Sequence, residues 1–197
     1  GLMRAELLGP LKVATLETHW DRDAAYYTVP WRGTLSYEMG GAVLSHAIHI
    51  HDLIARLGGP ITQVSATTST AINPIETEDC AAIWMRTQSG ALITSSITLG
   101  AAGNATRLRL VFEKATVESG SAPYRPAAEA WTVTPRNLEM AKAIEEATHS
   151  VLLKPGPHYA GFTGYFADLA AALSGRRTGL SLAAGRSSIE LATAIYQ

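Results

Sequence analysis

Between Glu38 and Leu53 the chain gathers a serine, three histidines and a carboxylate within a few helical turns. Ser45, His49, Asp52 and Arg56 fall at i, i+4, i+7 and i+11, one stripe of a helix, with His46 at its edge one turn before His49. Imidazole titrates near neutral pH, so a positioned histidine can take a proton from a substrate hydroxyl. His49 is the candidate acid/base on this pattern, and Asp52, one turn on, is placed to hold its second ring nitrogen and fix the tautomer. Gly40 and Gly41 open the run, where a ligand could come close to the backbone and a helix N-terminus would favour developing negative charge. The competing reading is that these are surface or satisfied core histidines, since structural networks imitate sites. His51 lies on a different side of the helix.

The elements that must position these groups follow from periodicity. Val43, Leu44, Ala47, Ile48, Ile50, Ile54 and Leu57 keep a helical period and give the stripe a buried flank, and Leu57-Gly58-Gly59-Pro60 is a stop signal. Just upstream lies a loop rich in aromatics and guanidinium groups: Trp20-Asp21-Arg22, Tyr26-Tyr27 and Trp31-Arg32-Gly33-Thr34. Aromatic faces cover the C–H surfaces of a sugar or polyol, and arginine donates in a planar fork to hydroxyl or carboxylate oxygens. Trp20 and Trp31 are equally readable as core plugs; Arg32 is less so, because arginine is rarely buried without a partner.

Leu11 to Thr18 alternates as a strand after a helical scrap at Met3 to Leu8. From Ile61 the pattern is strands again: Ile61 to Ile72, Asp79 to Arg86, Ala91 to Leu99 and Thr106 to Phe112, with Thr87-Gln88-Ser89-Gly90 as a hairpin turn and Ala115 to Glu118 as a continuation. Short connections imply antiparallel pairing. Hydroxyls at Thr67, Thr68, Ser69, Thr70, Thr94, Ser95, Ser96 and Thr98 suit a sheet face that is wet or packed on a partner subunit. Ser119 to Ala130 reads as a loop before a short strand at Trp131 to Thr134, and Leu138 to Thr148, Tyr159 to Leu173 and Ser187 to Tyr196 read as helices. Both ends are expected to be truncated, the first opening on a stub of helix and the last stopping in mid-helix without a cap.

At 197 residues the chain is expected to form a single domain. A net charge of −1 offers no attraction to nucleic acid or an anionic membrane, and no apolar run approaches the roughly 20 residues of a membrane span. No secretory signal is visible, so the expectation is a soluble, cytoplasmic protein, and Asn104-Ala105-Thr106 is a chance match to a glycosylation site. Cys80 has no cysteine partner and reads as a small core residue. His46, His49 and Asp52 do not make a standard zinc set, so no metal is expected. No G-x-G-x-x-G after a strand, no Walker loop and no G-x-S-x-G elbow is present, which leaves no dinucleotide cradle and no nucleophilic serine.

The order Trp20-Asp21-Arg22, Tyr26-Tyr27, Trp31-Arg32-Gly33-Thr34, Gly40-Gly41, Ala47-Ile48-His49, Asp52-Leu53, Glu78-Asp79 and Ser89-Gly90-Ala91 resembles the C-terminal domain of the Gfo/Idh/MocA oxidoreductases, relatives of glucose-fructose oxidoreductase and inositol dehydrogenase. The likeness runs from about Leu8 to the end and is weakest over Ser119 to Ala130. It implies an α+β fold, an open and mostly antiparallel sheet with helices packed on one face, of the GAPDH-like C-terminal domain type, whose other face serves subunit association. It further implies NAD(P)-dependent oxidation or reduction of a sugar, cyclitol or related polyol. NAD or NADP would be bound mainly by an N-terminal domain, with its Gly-rich loop and Glu-Lys-Pro lysine, that these residues do not contain. On the resemblance His49 takes the place of the acid/base near the nicotinamide. Family members commonly carry Asp or Asn where this chain has Ser45, often Gln at His46, and glycine at Met39. A serine supplies no charge, so proton transfer would rest on His49 with help from His46 or Asp52.

Two functions compete on these residues. The first is the substrate-binding and oligomerisation domain of a nicotinamide-dependent oxidoreductase, inactive alone, with Tyr27, Trp31, Arg32, Ser45 and His46 on the substrate side and Asp52, Gly40 and Gly41 in support. The second is a non-catalytic ligand-binding or regulatory module that kept the fold, which Ser45 favours.

Overall fold

The first strand, β1 (Leu11–Asp21), is the spine of the molecule. In the computed structural model, which describes residues 7–124, 126, 129–152, 161–176 and 182–197, it sits mid-sheet. The expected helical scrap at Met3 to Leu8 lies mostly outside the described residues, as does the expected start of the helix from Tyr159. The strands that follow are β2 (Ile61–Ser69), β3 (Cys80–Thr87), β4 (Leu92–Thr98), β5 (Gly100–Phe112), β6 (Ala115–Glu118) and β7 (Thr132–Pro135). They form one open sheet in the order β2-β3-β4-β1-β5-β6-β7. Every pairing is antiparallel except β1 with β4, which runs parallel from Val13 opposite Leu92 to His19 opposite Thr98. The parallel pair is possible because a long connection, carrying the helix of the histidines and β2 and β3, separates the two strands.

β3 and β4 alternate strictly, and β1 does so from Ala14 and β5 from Thr106. Ala14, Leu16, Ile83, Met85, Ile93, Ile97, Leu108 and Leu110 point into a single core, with Ala42, Val43, Ala47, Ile50 and Ile54 above them. Among the described residues no element covers the opposite face, and a row of registered residues crosses it: Ser65, Trp84, Thr94, Thr15, Arg109 and Glu118. On it Val13, Trp84 and Leu92 are exposed among hydroxyl side chains. The hairpin at Thr87 closes with Gly90 at φ +90 and Thr87 N–H donating to the Ala91 carbonyl at 3.0 Å.

Two departures from the periodicity have clear causes. The strand expected to run to Ile72 stops at Ser69, because the buried Asp79 carboxylate captures the N–H groups of Ala71, Ile72 and Asn73 at 2.8, 3.0 and 2.6 Å. The helix expected over Glu38 to Leu57 is broken: α1 (Leu35–Glu38) ends at Met39 in the left-handed region (φ 58), and a π turn at Val43–Ala47 then leads straight into α2 (Ile48–Gly58). Single π turns of this kind recur at functional sites. The chain closes with α3 (Leu138–Leu152), α4 (Gly161–Leu173) and α5 (Leu182–Tyr196). Leu191, Ala192 and Ile195 of α5 are buried, and α5 packs against α2 and β2.

Candidate active site

Gly40 and Gly41 enter the site helix where the protein itself fills the space beside the backbone, and at Gly41 the obstacle is backbone that cannot yield. A Cβ on Gly41 would stand 1.9 Å from the Glu78 carbonyl oxygen, and one on Gly40 would stand 2.6 Å from the Tyr196 hydroxyl. Glu78 occupies the helix entrance. Its carboxylate accepts from Gly41 N–H at 2.7 Å, Val43 N–H at 2.9 Å and the Tyr196 hydroxyl at 2.7 Å, while its carbonyl accepts from Ala42 N–H at 2.9 Å. A protein carboxylate therefore fills the anion position that a helix N-terminus offers. This is also the test of a nucleotide phosphate at the Gly-Gly turn: the donors are already taken, so the turn does not fit one.

Beyond that anchor the π turn sends neighbouring residues to opposite sides. His46 is 7% exposed and leans edge-on to Trp20, with ring centroids 5.2 Å apart, while Ser45 and His49 face outward. Ser45 Oγ donates to the Gly41 carbonyl at 2.7 Å and lies 2.6 Å from His46 Nδ1. With its one proton on Gly41, the serine accepts from Nδ1–H and leaves His46 Nε2 with its lone pair. Burial, and after it the charges of Arg22, His49 and Arg32, push His46 down to about 4, so it is neutral. Asp52, expected to hold His49, is otherwise engaged: Arg56 Nε donates to it at 2.7 Å and the Ser188 hydroxyl at 2.8 Å. His49 has no hydrogen-bond partner among the described residues.

The upstream loop meets this strip. Arg32 lies over Tyr26, 4.0 Å from the ring centroid, and 5.3 Å from that of Trp31, and Tyr26 is 6.2 Å from His46. Its position is fixed by Gly33, whose φ of +72 and contact with Ile75 exclude a side chain, and whose N–H donates to Glu38. Trp31 is exposed, as substrate contact needs, but Trp20 is a core plug that donates to Thr106 Oγ1 at 3.0 Å. Tyr27 stands edge-on to Tyr26 with its hydroxyl buried and without a partner among the described residues, and burial first, then Tyr26, Asp79 and Glu38, pushes it up to about 12. Of the expected residues, Trp31, Arg32, Ser45, His46 and His49 fall in one neighbourhood, Tyr27 is turned inward from it, and Asp52 belongs to another network.

Two residues that spacing alone did not single out, Arg22 and Tyr124, join the cluster. Arg22 lies 5.1 Å from the Trp20 ring, 4.9 Å from Tyr26 and 5.5 Å from Tyr124. Tyr124, held at φ 62, comes from the Ser119 to Ala130 loop, packs 4.1 Å from Trp20 and accepts from Arg22 Nη2. A local pattern does not show that a loop a hundred residues away returns to the site. His51 lies elsewhere, buried against Ser95 Oγ at 3.0 Å. A cleft of about 520 Å³ opens on the far flank of α2 toward α5, lined by Asp52, Arg56 and Ser188 and apart from His49. Among the described residues no group of three His, Cys, Asp or Glu side chains is arranged to hold a metal ion, and no helix is long and apolar enough to cross a membrane.

An open sheet bearing a histidine-rich helix on one face and left uncovered on the other is the architecture of a GAPDH-like C-terminal oxidoreductase domain. The family model of the GFO/IDH/MocA C-terminal domain matches residues 1–118, and the chain belongs to that family. The structure is similar to that of the WlbA dehydrogenase from Bordetella pertussis in complex with NADH and UDP-GlcNAcA, with a TM-score of 0.77 and 25% identity over 99% of this chain and 55% of that one. It is similar in fold to the aldose-aldose oxidoreductase from Caulobacter crescentus complexed with glycerol (TM-score 0.73, 19% identity, 99% and 55% covered). Levoglucosan dehydrogenase in complex with NADH likewise shares the fold (TM-score 0.72, 17% identity, 99% and 58% covered). The chain spans little more than half the length of these relatives. No curated protein matches it in sequence.

Proposed function

We propose that these residues form the substrate-binding and oligomerisation domain of a longer NAD(P)-dependent oxidoreductase acting on a sugar, cyclitol or related polyol, with His49 as its acid/base. The observation that carries this reading is the outward-facing His49 one turn from His46, a ring that also feels Arg22 and Arg32, in a chain of this family. Support for the substrate class comes from neighbours crystallised with UDP-GlcNAcA and with levoglucosan. Support for the cofactor comes from neighbours crystallised with NADH.

A nicotinamide, when bound, supplies the hydride acceptor or donor. What this chain supplies is the proton and the grip. His49, solvent-facing and without a side-chain hydrogen bond among the described residues, takes the hydroxyl proton as a carbinol becomes a carbonyl, and returns it in reduction. Neutral His46 keeps an acceptor nitrogen for a substrate hydroxyl, and Trp31 offers an aromatic face to ring C–H groups. The pyrophosphate of the cofactor has no seat at the Gly40-Gly41 turn, since Glu78 fills that helix entrance. The uncovered sheet face, with Val13, Trp84 and Leu92 in its midst, is the surface for a second copy.

In the longer polypeptide, His49→Ala is expected to cut turnover by about 10²-fold or more with little change in cofactor binding. A second reading, a binding module without chemistry, draws on Ser45, which brings no charge, and on Asp52, which is bound to Arg56 and Ser188 instead of orienting His49. It expects sugar binding with no hydride transfer to any polyol. Measurable nicotinamide reduction that His49→Ala abolishes excludes it.

A further inference from the structure

Two guanidinium groups lie against the same tyrosine ring, Arg32 at 4.0 Å and Arg22 at 4.9 Å from the centroid of Tyr26. Both are partly buried, and among the described residues neither forms an ion pair. Their protein acceptors are neutral. Arg32 Nη1 donates to the Tyr26 carbonyl at 3.0 Å, and Arg22 Nη1 donates to the Asp21 carbonyl at 2.7 Å and to Asn104 Oδ1 at 3.3 Å. The Nε–H of each arginine is buried with no acceptor among the described residues.

The carboxylates nearby are already committed elsewhere. Glu38 accepts from Gly33 N–H, Asp23 from Tyr26 N–H at 3.0 Å, and Asp79 from three backbone donors. Two partly desolvated cations with no counter-ion are costly to hold side by side, and an entering anion relieves that cost. Guanidinium forks match the planar geometry of carboxylate and phosphate oxygens. A neutral polyol would leave both charges uncompensated.

We infer that Arg22 and Arg32 form an oxyanion subsite beside His46, so that the substrate is an acidic sugar carrying a carboxylate or a phosphate. This inference rests on the polyol reading above and narrows its substrate class. Trp31 covers the sugar ring while the forks take the oxyanion, which points the reacting hydroxyl along the helix toward His49.

The test is titration of the chain with glucuronate, glucose 6-phosphate, glucose and myo-inositol, followed by calorimetry and by tryptophan fluorescence, since Trp20 and Trp31 both lie beside the guanidinium groups. At least one charged sugar is expected to bind about tenfold or more tightly than glucose, and the better of the two identifies the oxyanion. Arg32→Gln should remove that preference, Arg32→Lys should restore part of it, and the exposed Arg136→Gln should leave it intact. Equal binding of charged and neutral sugars by the wild-type chain, a comparison independent of whether any variant folds, overturns the inference while leaving the polyol reading standing. A preference that survives in folded Arg32→Gln overturns the subsite. Binding of no sugar of either kind overturns the polyol reading and this inference with it.

Discussion

The hydroxyl of Tyr196 donates to Glu78 Oε1 at 2.7 Å, tying the last helix to the carboxylate that holds the entrance of the histidine helix. Burial, and after it Glu78, raises the Tyr196 phenol above its ordinary range, so it remains a donor at any working pH. Three parts of the chain meet there: the Gly40-Gly41 turn, the acidic pair before β3 and the end of α5.

Glu78→Ala would leave the Val43 N–H buried without an acceptor and the Gly41 N–H with only the Tyr196 hydroxyl at 3.2 Å, at a cost on the order of 3 kcal/mol. Tyr196→Phe removes one donor from a carboxylate that keeps the others, and the longer of two acceptors from a Gly41 N–H that keeps Glu78, at about 1 kcal/mol. Urea denaturation of the two variants is expected to rank them in that order. Equal losses would mean that α5, not the carboxylate, holds the helix entrance. Gly41→Ala, whose Cβ would overlap the Glu78 carbonyl, is expected to be the most damaging of the three, whereas Gly185→Ala meets nothing within 4 Å and is expected to be neutral or slightly stabilising.

The two buried histidines set a pH dependence of stability. Burial pushes His51 down to about 4, and burial together with Arg22, His49 and Arg32 does the same to His46. Between the ordinary 6.5 and about 4 the unfolded chain takes up protons that the folded chain refuses, so stability is full above that window and falls as pH drops through it. The expected slope is on the order of 1 kcal/mol per pH unit for each histidine. Asp79 acts below this window. Burial alone would raise it, but the Ala71, Asn73 and Ile72 N–H donors bring it below its ordinary 3.8, so its contribution is lost only as pH falls through that lower value. Denaturation midpoints from pH 7 to pH 4 check the slope, and His51→Gln, which keeps a partner for Ser95, should remove about half of it. A flat profile would show that both rings protonate within the fold.

Much of this was legible in the sequence, and the illegible part has physical causes. Alternation fixed the strands because one sheet face is buried and the other open, and the apolar period from Val43 to Leu57 marked the helix flank correctly. The family followed from the order of the motifs. The break at Met39 and the π turn escaped, because the Gly41 to Val43 donors at the helix entrance are taken by Glu78, thirty-five positions after Val43, and not set by the local apolar period. The Asp52 to His49 link failed for a related reason: helical spacing brings two groups within reach but does not say that Arg56 and Ser188 reach one of them first. Arg22 and Tyr124 meet only through a loop return that no local pattern encodes. The parallel β1–β4 pair likewise depends on where a distant strand inserts.

The open sheet face yields the last prediction. Trp84 stands on it in cross-strand register with Ser65 and Thr94, and the row continues through Thr15 to Arg109. Exposed Val13 and Leu92 lie opposite each other across the β1–β4 pair, next to that row. A tryptophan in the middle of a polar, hydroxyl-bearing face is costly in water and valuable in an interface, where it becomes an anchor surrounded by hydroxyls that exclude solvent. Trp84→Glu puts a charge at the centre of that surface without touching the buried alternate residues Ile83 and Met85, so the fold should hold while self-association is lost. Sedimentation of the wild-type chain is expected to show at least a dimer, and Trp84→Glu a monomer with unchanged far-ultraviolet dichroism. A wild-type monomer, or an oligomer indifferent to Trp84→Glu, would assign this face to something other than a second copy.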